Sequence, residues 1–328
     1  MNTIPEKAVI TLATGKDIYI NMAVNLARSF KHWHSDSSIE FFLATDQVNL
    51  LPDDVKDINI IELEPDQFGR GFSPKLHLNK IAPAQKTLFI DADCLLCGSL
   101  ESVFDRFEGK AVSVIGYPMS SGEWFGDIAS VCKRFNVESI PRFNGGMYYL
   151  EKGDLSDQVY SKAQELEPQY DEIGLIRLRN RPNDELMMSI AMALHGQSAI
   201  EDDATIYSDP FLCQGPMKID TLGGSSTLTN PPAPHPLHRD TYCWNVVHPL
   251  VVHFLGHHTT VYPYSKEKFR LEYTQAKGWP KALVDVYAFF GFTIPETIIK
   301  TAKDTLRPAF HKLFGTRRIK VSERVIAD

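Results

Sequence analysis

The sequence predicts an α/β fold: a mostly parallel central sheet with helices on its faces, followed by a helical extension at the C-terminus. Three observations carry this. Strand-like and helix-like stretches alternate from residue 8 to about residue 117, the pattern of crossover-connected parallel strands. The strands are short, continuous apolar runs, as strands buried on both faces are. After about residue 263 the character changes to amphipathic helix, which divides the chain into 1–262 and 263–328.

AVITLA (8–13), bounded by Gly15, is the first strand. Residues 18–33 place Ile18, Met22, Leu26 and Phe30 at helical spacing, with one buried face expected. IEFFLAT (39–45) and INIIELE (58–64) are the second and third strands. PKLHLNKIAPA (74–84) has Pro74 at a helix entry and Leu76, Leu78 and Ile81 inside it. TLFIDAD (87–93) is the fourth strand and AVSVIGY (111–117) the fifth. Met147 to Leu150 is a strand behind a Gly-Gly pair. NDELMMSIAMALHG (183–196) is a helix, with acids Asp184 and Glu185 in its first turn, Leu186, Ile190 and Ala193/Leu194 on one face, and Gly196 ending it. TLGGSSTLTNPPAPHPLH (221–238) reads as a long loop. VVHPLVVHFLGHH (246–258) is apolar, β-branched and studded with histidines.

Residues 283–315 read as amphipathic helix, with Ile298, Ala302, Leu306, Phe310 and Leu313 in register. Between Lys300 and Arg324 eight Lys/Arg stand against two acids, a net of +6 in a chain of net −7, leaving −13 elsewhere. Two readings stay open for 283–324: a solvated face, or peripheral contact with a membrane surface.

The composition, 43% hydrophobic and 23% charged over 328 residues, is that of a globular protein. The negative balance argues against a nucleic-acid partner. Five cysteines at 94, 97, 132, 213 and 243 form no disulfide framework and fit a reducing compartment. Cys94 and Cys97 read as buried hydrophobes. No basic-then-apolar leader opens the chain, and no run approaches about 18 uninterrupted apolar residues, so no transmembrane helix is expected. The expected location is the cytoplasm, with the inner membrane surface as its peripheral variant.

Asp91 and Asp93 stand at the end of the fourth strand, although aspartate is a poor strand former. Burying a carboxylate without a partner is costly. Ligands in parallel sheets bind at the carboxyl ends of strands, so the pair reads as a site. Two hard oxygen donors one residue apart suit Mg²⁺ or Mn²⁺, which in turn hold a diphosphate. Extended backbone at Ala92 would put both carboxylates on one face.

KLHLNKIAPAQKTLFIDADCLLCGSLESVF (75–104) resembles a segment of glycosyltransferase family 8, glycogenin-like in its D-A-D block. Four further blocks resemble the family in order: AVITLATGKDIYINMAVNLARSF (8–30), RFNGGMYYL (142–150), NDEL (183–186) and HFLG (253–256). Ordered blocks are more specific than any single motif. The resemblance implies a GT-A fold, Rossmann-like in its sheet, and transfer of a hexose from a UDP-sugar with retention at the anomeric carbon. It implies Mn²⁺ (or Mg²⁺) on Asp91, Asp93 and His253. It places Thr11, Leu12, Tyr19, Lys75, Ala92, Gly145 and Gly256 around the donor nucleotide. Asn144, Asn183 and Asp184 are implied at the reacting centre, and a glycan or glycolipid as acceptor.

Two departures stand out. The family's late block continues to a lysine that binds the donor diphosphate, and Thr259 occupies that place here, with His257, His258 or Lys266 as substitutes. Asn183-Asp184-Glu185 replaces the usual Asp-Gln. Two rival readings follow: a catalytically silent GT-A domain that binds nucleotide sugar or glycan, and a haloacid-dehalogenase-type phosphohydrolase using Asp202-Asp203 as its acid pair.

Overall fold

A computed structural model describes residues 4–240 and 242–315. The chain begins with β1 (Lys7–Ala13), α1 (Asp17–Trp33), β2 (Glu40–Thr45) and β3 (Asn59–Glu62). A 3₁₀ turn (Ser73–His77) and a single helical turn, α2 (Leu78–Ile81), lead into β4 (Lys86–Ile90) and β5 (Cys94–Leu96). Next come α3 (Glu101–Arg106), β6 (Val112–Ser113), β7 (Ile115–Met119), α4 (Ile128–Phe135), β8 (Ile140–Phe143) and β9 (Met147–Glu151). The helices α5 (Asp154–Leu166), α6 (Tyr170–Ile173) and α7 (Asp184–Leu194) follow. Short strands complete the body: β10 (Ile200–Glu201), β11 (Tyr207–Ser208), β12 (Met217–Asp220), β13 (Ser225–Thr229), β14 (Val246–Val247) and β15 (Val251–His253). The chain closes with α8 (Tyr264–Leu271), α9 (Lys281–Ala288) and α10 (Ile294–Phe314).

The central sheet has the order β3-β2-β1-β4-β9-β6. Its first four strands are parallel, and β9 is antiparallel to both β4 and β6. After β1 the chain builds outward through β2 and β3, then returns to lay β4 on the other side of β1. That reversal between β1 and β4 is the crevice where open α/β sheets bind ligands.

Both faces of the sheet are covered, as continuous apolar strands require. Side chains alternate across a strand: Val9, Leu88 and Ile90 join the core formed with α1, while Ile10 and Phe89 join the core formed with α5 and α7. The architecture is the mostly parallel sheet with flanking helices that the sequence predicts, and the C-terminal helix is present.

Several local expectations are corrected. AVSVIGY is two strands, not one. Val112–Ser113 pairs with β9 in the central sheet, and Ile115–Met119 pairs with β8 and β10 in a smaller one. Gly116 permits this, because a Cβ there would collide with the Arg142 carbonyl. The stretch 221–238 is not all loop. Ser225–Thr229 pairs with β12 and β14, burying Ser226 and Leu228 behind a composition that reads as turn. The helix expected over 74–84 is only the 3₁₀ turn and α2. Ile18 and Leu194 are exposed rather than on the buried faces of their helices.

Tyr264 and Leu271 of α8 pack in one core with Leu95, Val252 and Phe254. Helix α9, a π turn at Phe289–Thr293 and α10 run on as one helix, Lys281–Phe314. By length and composition alone it is long and apolar enough to cross a membrane. This corrects the expectation that no such helix exists: single charges interrupt its apolar runs, yet one 18-residue stretch of it, with no more than two charged residues, remains apolar on average. The basic residues at 317, 318, 320 and 324, with Glu323, lie outside the described residues. All five cysteines are free thiols, with Cys94 and Cys97 buried.

Candidate functional site

The strand β4 ends at Ile90, and the chain turns at once: the Cys94 N–H donates to the Asp91 carbonyl (3.0 Å). The Asp91 N–H donates to the Gly146 carbonyl (2.9 Å), tying this turn to the loop that precedes β9. The turn is further pinned by the Phe254 N–H, which donates to the Asp93 carbonyl (2.9 Å). Ala92, between the two acids, is buried in the α1-side core. The turn therefore projects two carboxylates while its apolar residue anchors it.

His253 arrives from the opposite end of the chain. It ends β15, which runs antiparallel to β5 and sets His253 across from Cys94. Its Nε2 lies 2.9 Å from Asp93 Oδ1 and 3.8 Å from Asp91 Oδ2. Its Nδ1 meets the Tyr207 hydroxyl, which itself donates to Asn144 Oδ1 (2.9 Å). Asn144 Oδ1 also accepts from the Gly146 N–H (3.0 Å). With the Tyr207 proton committed to Asn144, His253 Nδ1 is the donor in its bond to Tyr207, and Nε2 is left to face the acids.

Burial by itself would lower the His253 pKa, but the Asp93 carboxylate outweighs it and the ring is raised. Burial would raise Asp93, and the same pairing with His253 pulls it down. Lys75 is the second cation. It donates to Asp91 Oδ2 (2.7 Å) and to the Gly145 carbonyl (2.8 Å). Burial opposes its charge, yet Asp91 and Asp184 hold it above the ordinary lysine value.

The two glycines exist for closeness. A Cβ at Gly146 would collide with the Tyr207 hydroxyl and lie 2.8 Å from His253 Nδ1. A Cβ at Gly145 would come within 3.0 Å of Asp184 Oδ2 and 3.2 Å of the Tyr148 hydroxyl. Gly145 also links the acidic turn to α7, since its N–H donates to Glu185 Oε1 (2.8 Å).

At the start of α7, Asn183 is the N-cap: its side-chain oxygen accepts from the Glu185 N–H (3.0 Å). Asp184 is buried and accepts from the Tyr148 hydroxyl (2.5 Å). Burial raises its pKa against the pull of Lys75. Of these two acids, Glu185 is the partly exposed one. Burial and the Asp184 charge push its pKa up to about 7.

The remaining expected residues lie around this cluster. Thr11 and Leu12 lie near the end of β1, paired with Leu43 and Ala44 of β2. The Thr11 hydroxyl is buried and, among the described residues, has no hydrogen-bond partner. Tyr19 is exposed in the first turn of α1, outside the bonded cluster among the described residues. Gly256 has φ +58° and opens the 3₁₀ turn Gly256–Thr260, just past His253.

Thr259 is buried and donates back to the Gly256 carbonyl (2.8 Å). The three residues considered as cationic substitutes do not share one fate. Lys266 is committed to Glu267 (2.8 Å) and the Ile219 carbonyl (2.9 Å). Burial beside His257 pushes His258 down to about 4, which leaves it neutral near pH 7. The His257 ring packs tilted against that of His258, with centroids 4.0 Å apart. Asp203 pairs with Arg106 (3.0 Å), away from the Asp91 turn.

The donor set suits a hard divalent ion. Cis ligands on an octahedral ion, each about 2.1 Å away, stand about 3 Å apart. The spacings of His253 Nε2 from the two carboxylates bracket that value. Asp93, Cys94 and His253 also place a ligand atom each within 4.8 Å of one another. The Cys94 thiol is raised well above its ordinary value by burial and by both acids, so it stays protonated and Asp91 is the better third donor. Sequence reasoning missed Tyr207, Tyr148 and the position of Glu185. Glu185 adjoins the residues that were singled out, whereas Tyr207 lies in a two-residue strand with no local signal.

No protein-family model matches the chain, and no curated protein matches it. Solved structures do. The galactosyltransferase LgtC, in complex with donor and acceptor sugar analogues, matches with 17% identity over 76% of this chain and 87% of that one, TM-score 0.46. The WbbM bifunctional glycosyltransferase in its apo form matches with 12% identity over 78% of this chain and 47% of that one, TM-score 0.48. The glycosyltransferase GlyE of Streptococcus pneumoniae TIGR4 matches with 14% identity over 60% of this chain and 45% of that one, TM-score 0.41.

Proposed function

We propose that this chain is a metal-dependent glycosyltransferase of the GT-A type. It takes a hexose from a UDP-sugar to a saccharide, lipid-linked or protein acceptor, with retention at the anomeric carbon. The observation that carries the reading is the convergence of Asp91, Asp93 and His253 beside the β1–β4 crossover, with Lys75 on Asp91. Residues of separate family-like sequence blocks are thereby joined in one bonded network.

Asp91, Asp93 and His253 would hold Mn²⁺ or Mg²⁺, which when bound supplies Lewis-acid stabilisation of charge on a leaving diphosphate. Lys75 adds positive charge to the same edge. Tyr207 and Asn144 hold the His253 ring in one orientation. The carboxylate role expected of Asp184 falls to Glu185, because Asp184 is buried against Tyr148 while Glu185 retains exposure. No side chain is assigned as nucleophile; front-face attack assisted by the leaving phosphate is the mechanism adopted.

A second reading, binding without turnover, is favoured by one observation: Thr259 and Lys266 supply no further cation to the donor edge. The test is calorimetric titration of UDP with and without Mn²⁺, on wild type and Asp93→Ala, followed by donor turnover. Mn²⁺-dependent binding lost in the variant supports the donor site, and hydrolysis or transfer of a UDP-hexose then supports the enzyme. Binding without turnover of any UDP-hexose favours the silent domain. Absence of UDP binding with Mn²⁺ present overturns the proposal.

A further inference from the structure

The segment that leads into α7 is a basic hairpin. The Leu178 N–H donates to the Arg181 carbonyl (2.9 Å), and the Arg181 N–H donates to the Leu178 carbonyl (3.1 Å). Arg179 and Asn180 form the two-residue turn between them, both left-handed, with φ +53° and +61°. Such turns favour Asn and Gly at these positions. An arginine there strains the backbone, and Arg179 is exposed, so packing does not offset the strain. The hairpin is fixed in place at its base. The Ile176 N–H donates to the Phe125 carbonyl (2.9 Å), and the Tyr170 hydroxyl donates to the Ile176 carbonyl (2.9 Å).

Its arginines are not equally engaged. IRLRNR (176–181) holds three arginines and no acid, in a chain of net −7. Arg177 is bound by both Asp171 oxygens (2.8 and 2.6 Å). Arg179 and Arg181 are exposed, and among the described residues their guanidinium groups have no hydrogen bond or ion pair. Arg181 acts on Asp66 only through space, and Arg70 already occupies that carboxylate (2.7 and 2.5 Å). The Arg181 side chain lies across Gly71, where a Cβ would stand 2.6 Å from its Cδ and 3.0 Å from its Nη1. Gly71 is four residues from Lys75. Arg181 is two residues from Asn183, a Cα separation of at most about 8 Å. The hairpin therefore borders the site on its Lys75 and α7 side. His253 stands at the other acid of the pair, 2.9 Å from Asp93.

We propose that Arg179 and Arg181 bind an anionic group on the acceptor, so that the acceptor is a saccharide carrying a phosphate or a carboxylate. The inference rests on the glycosyltransferase reading and names the substrate class of that site. The donor diphosphate belongs at the metal-ligand end, and the donor sugar beside the α7 residues. The next reactant along this line meets the hairpin. Planar guanidinium groups form paired, charge-assisted bonds to either oxyanion. A merely solvated turn would be met by Asn-Gly without strain.

The test is ligand-observed NMR titration of the full chain, first with UDP and Mn²⁺, then with methyl glucoside, glucuronate and glucose 6-phosphate as probes. At least one anionic sugar is expected to bind about tenfold or more tightly than the neutral one, and the one that binds names the anion. Raised salt is expected to weaken that preference. Arg179→Gln/Arg181→Gln is expected to remove it and Arg179→Lys/Arg181→Lys to keep part of it, with melting temperature and UDP affinity unchanged in both. Equal binding of the three sugars by wild type overturns the proposal, as does a preference that survives in the glutamine variant. A fall in UDP affinity in that variant also overturns it, by assigning the arginines to the donor. Absence of UDP binding to wild type overturns the reading on which the proposal rests, and it is seen before any sugar is added.

Discussion

The Tyr207 hydroxyl bonds to Nδ1 of His253 and so turns Nε2 of the same ring toward Asp93, 2.9 Å away. A ligand histidine whose far nitrogen is held binds its ion more tightly than one free to rotate. Tyr207→Phe keeps the ring volume and removes the bond. Mn²⁺ affinity is expected to fall about 10- to 100-fold while the fold persists. Calorimetric Mn²⁺ titration beside far-UV circular dichroism checks this, and unchanged affinity would show that the bond does not orient the ligand.

Gly146 and Gly145 should differ in what a single methyl costs. At Gly146 the added carbon meets both Tyr207 and His253, and two ordered rings cannot both retreat. At Gly145 the contacts are at 3.0 to 3.2 Å, including the Glu185 side chain. Gly146→Ala is expected to cost up to about 3 kcal/mol and Gly145→Ala nearer 1 kcal/mol. Urea denaturation ranks them, and the reverse order would contradict the packing described.

Lys75 is the cation that Asp91, Asp184 and Glu185 share. Lys75→Met fills the space and leaves three acids to one another. Removing one partner of a buried pair costs about 3–5 kcal/mol. A melting temperature within a degree or two of wild type would mean that solvent screens these charges.

Glu185 has a folded pKa of about 7, above its ordinary value of 4.5, raised by burial and by Asp184 against the pull of the Gly145 N–H and Lys75. Its contribution to stability is therefore full below about pH 4.5 and is lost as pH rises through 7. The shift corresponds to about 3 kcal/mol. Glu185→Gln cannot ionise, so the gap between variant and wild type is expected to widen in the variant's favour from pH 5 to pH 8. Thermal melts at four pH values in metal-free buffer measure it, and a gap that stays flat would place this carboxyl in solvent.

Much of the site was legible because its signals are local. A strand of buried apolar residues that ends in two acids declares itself over seven positions, and a parallel sheet puts that strand end at a ligand edge. The Gly-Gly pair, the α7 entry and His253 were legible as blocks. The bonds that hold each in place were not. Asn183 and Asp184 read as reacting groups, but the structure makes one a helix cap and the other the partner of Tyr148. Capping and burial depend on which neighbours arrive in space, and sequence order does not list them.

The sequence by itself determined where the acids stand and that the sheet is mostly parallel, since both follow from apolar periodicity and strand-end chemistry within a few residues. It also determined that the C-terminal segment is helical and amphipathic. Only the tertiary structure decided that 111–117 serves two sheets, that 225–229 is a strand, and that Tyr207 holds His253. Each of these is a pairing with residues outside the segment itself. Its free energy comes from the partner's hydrogen bonds and buried surface, which the local chain does not encode.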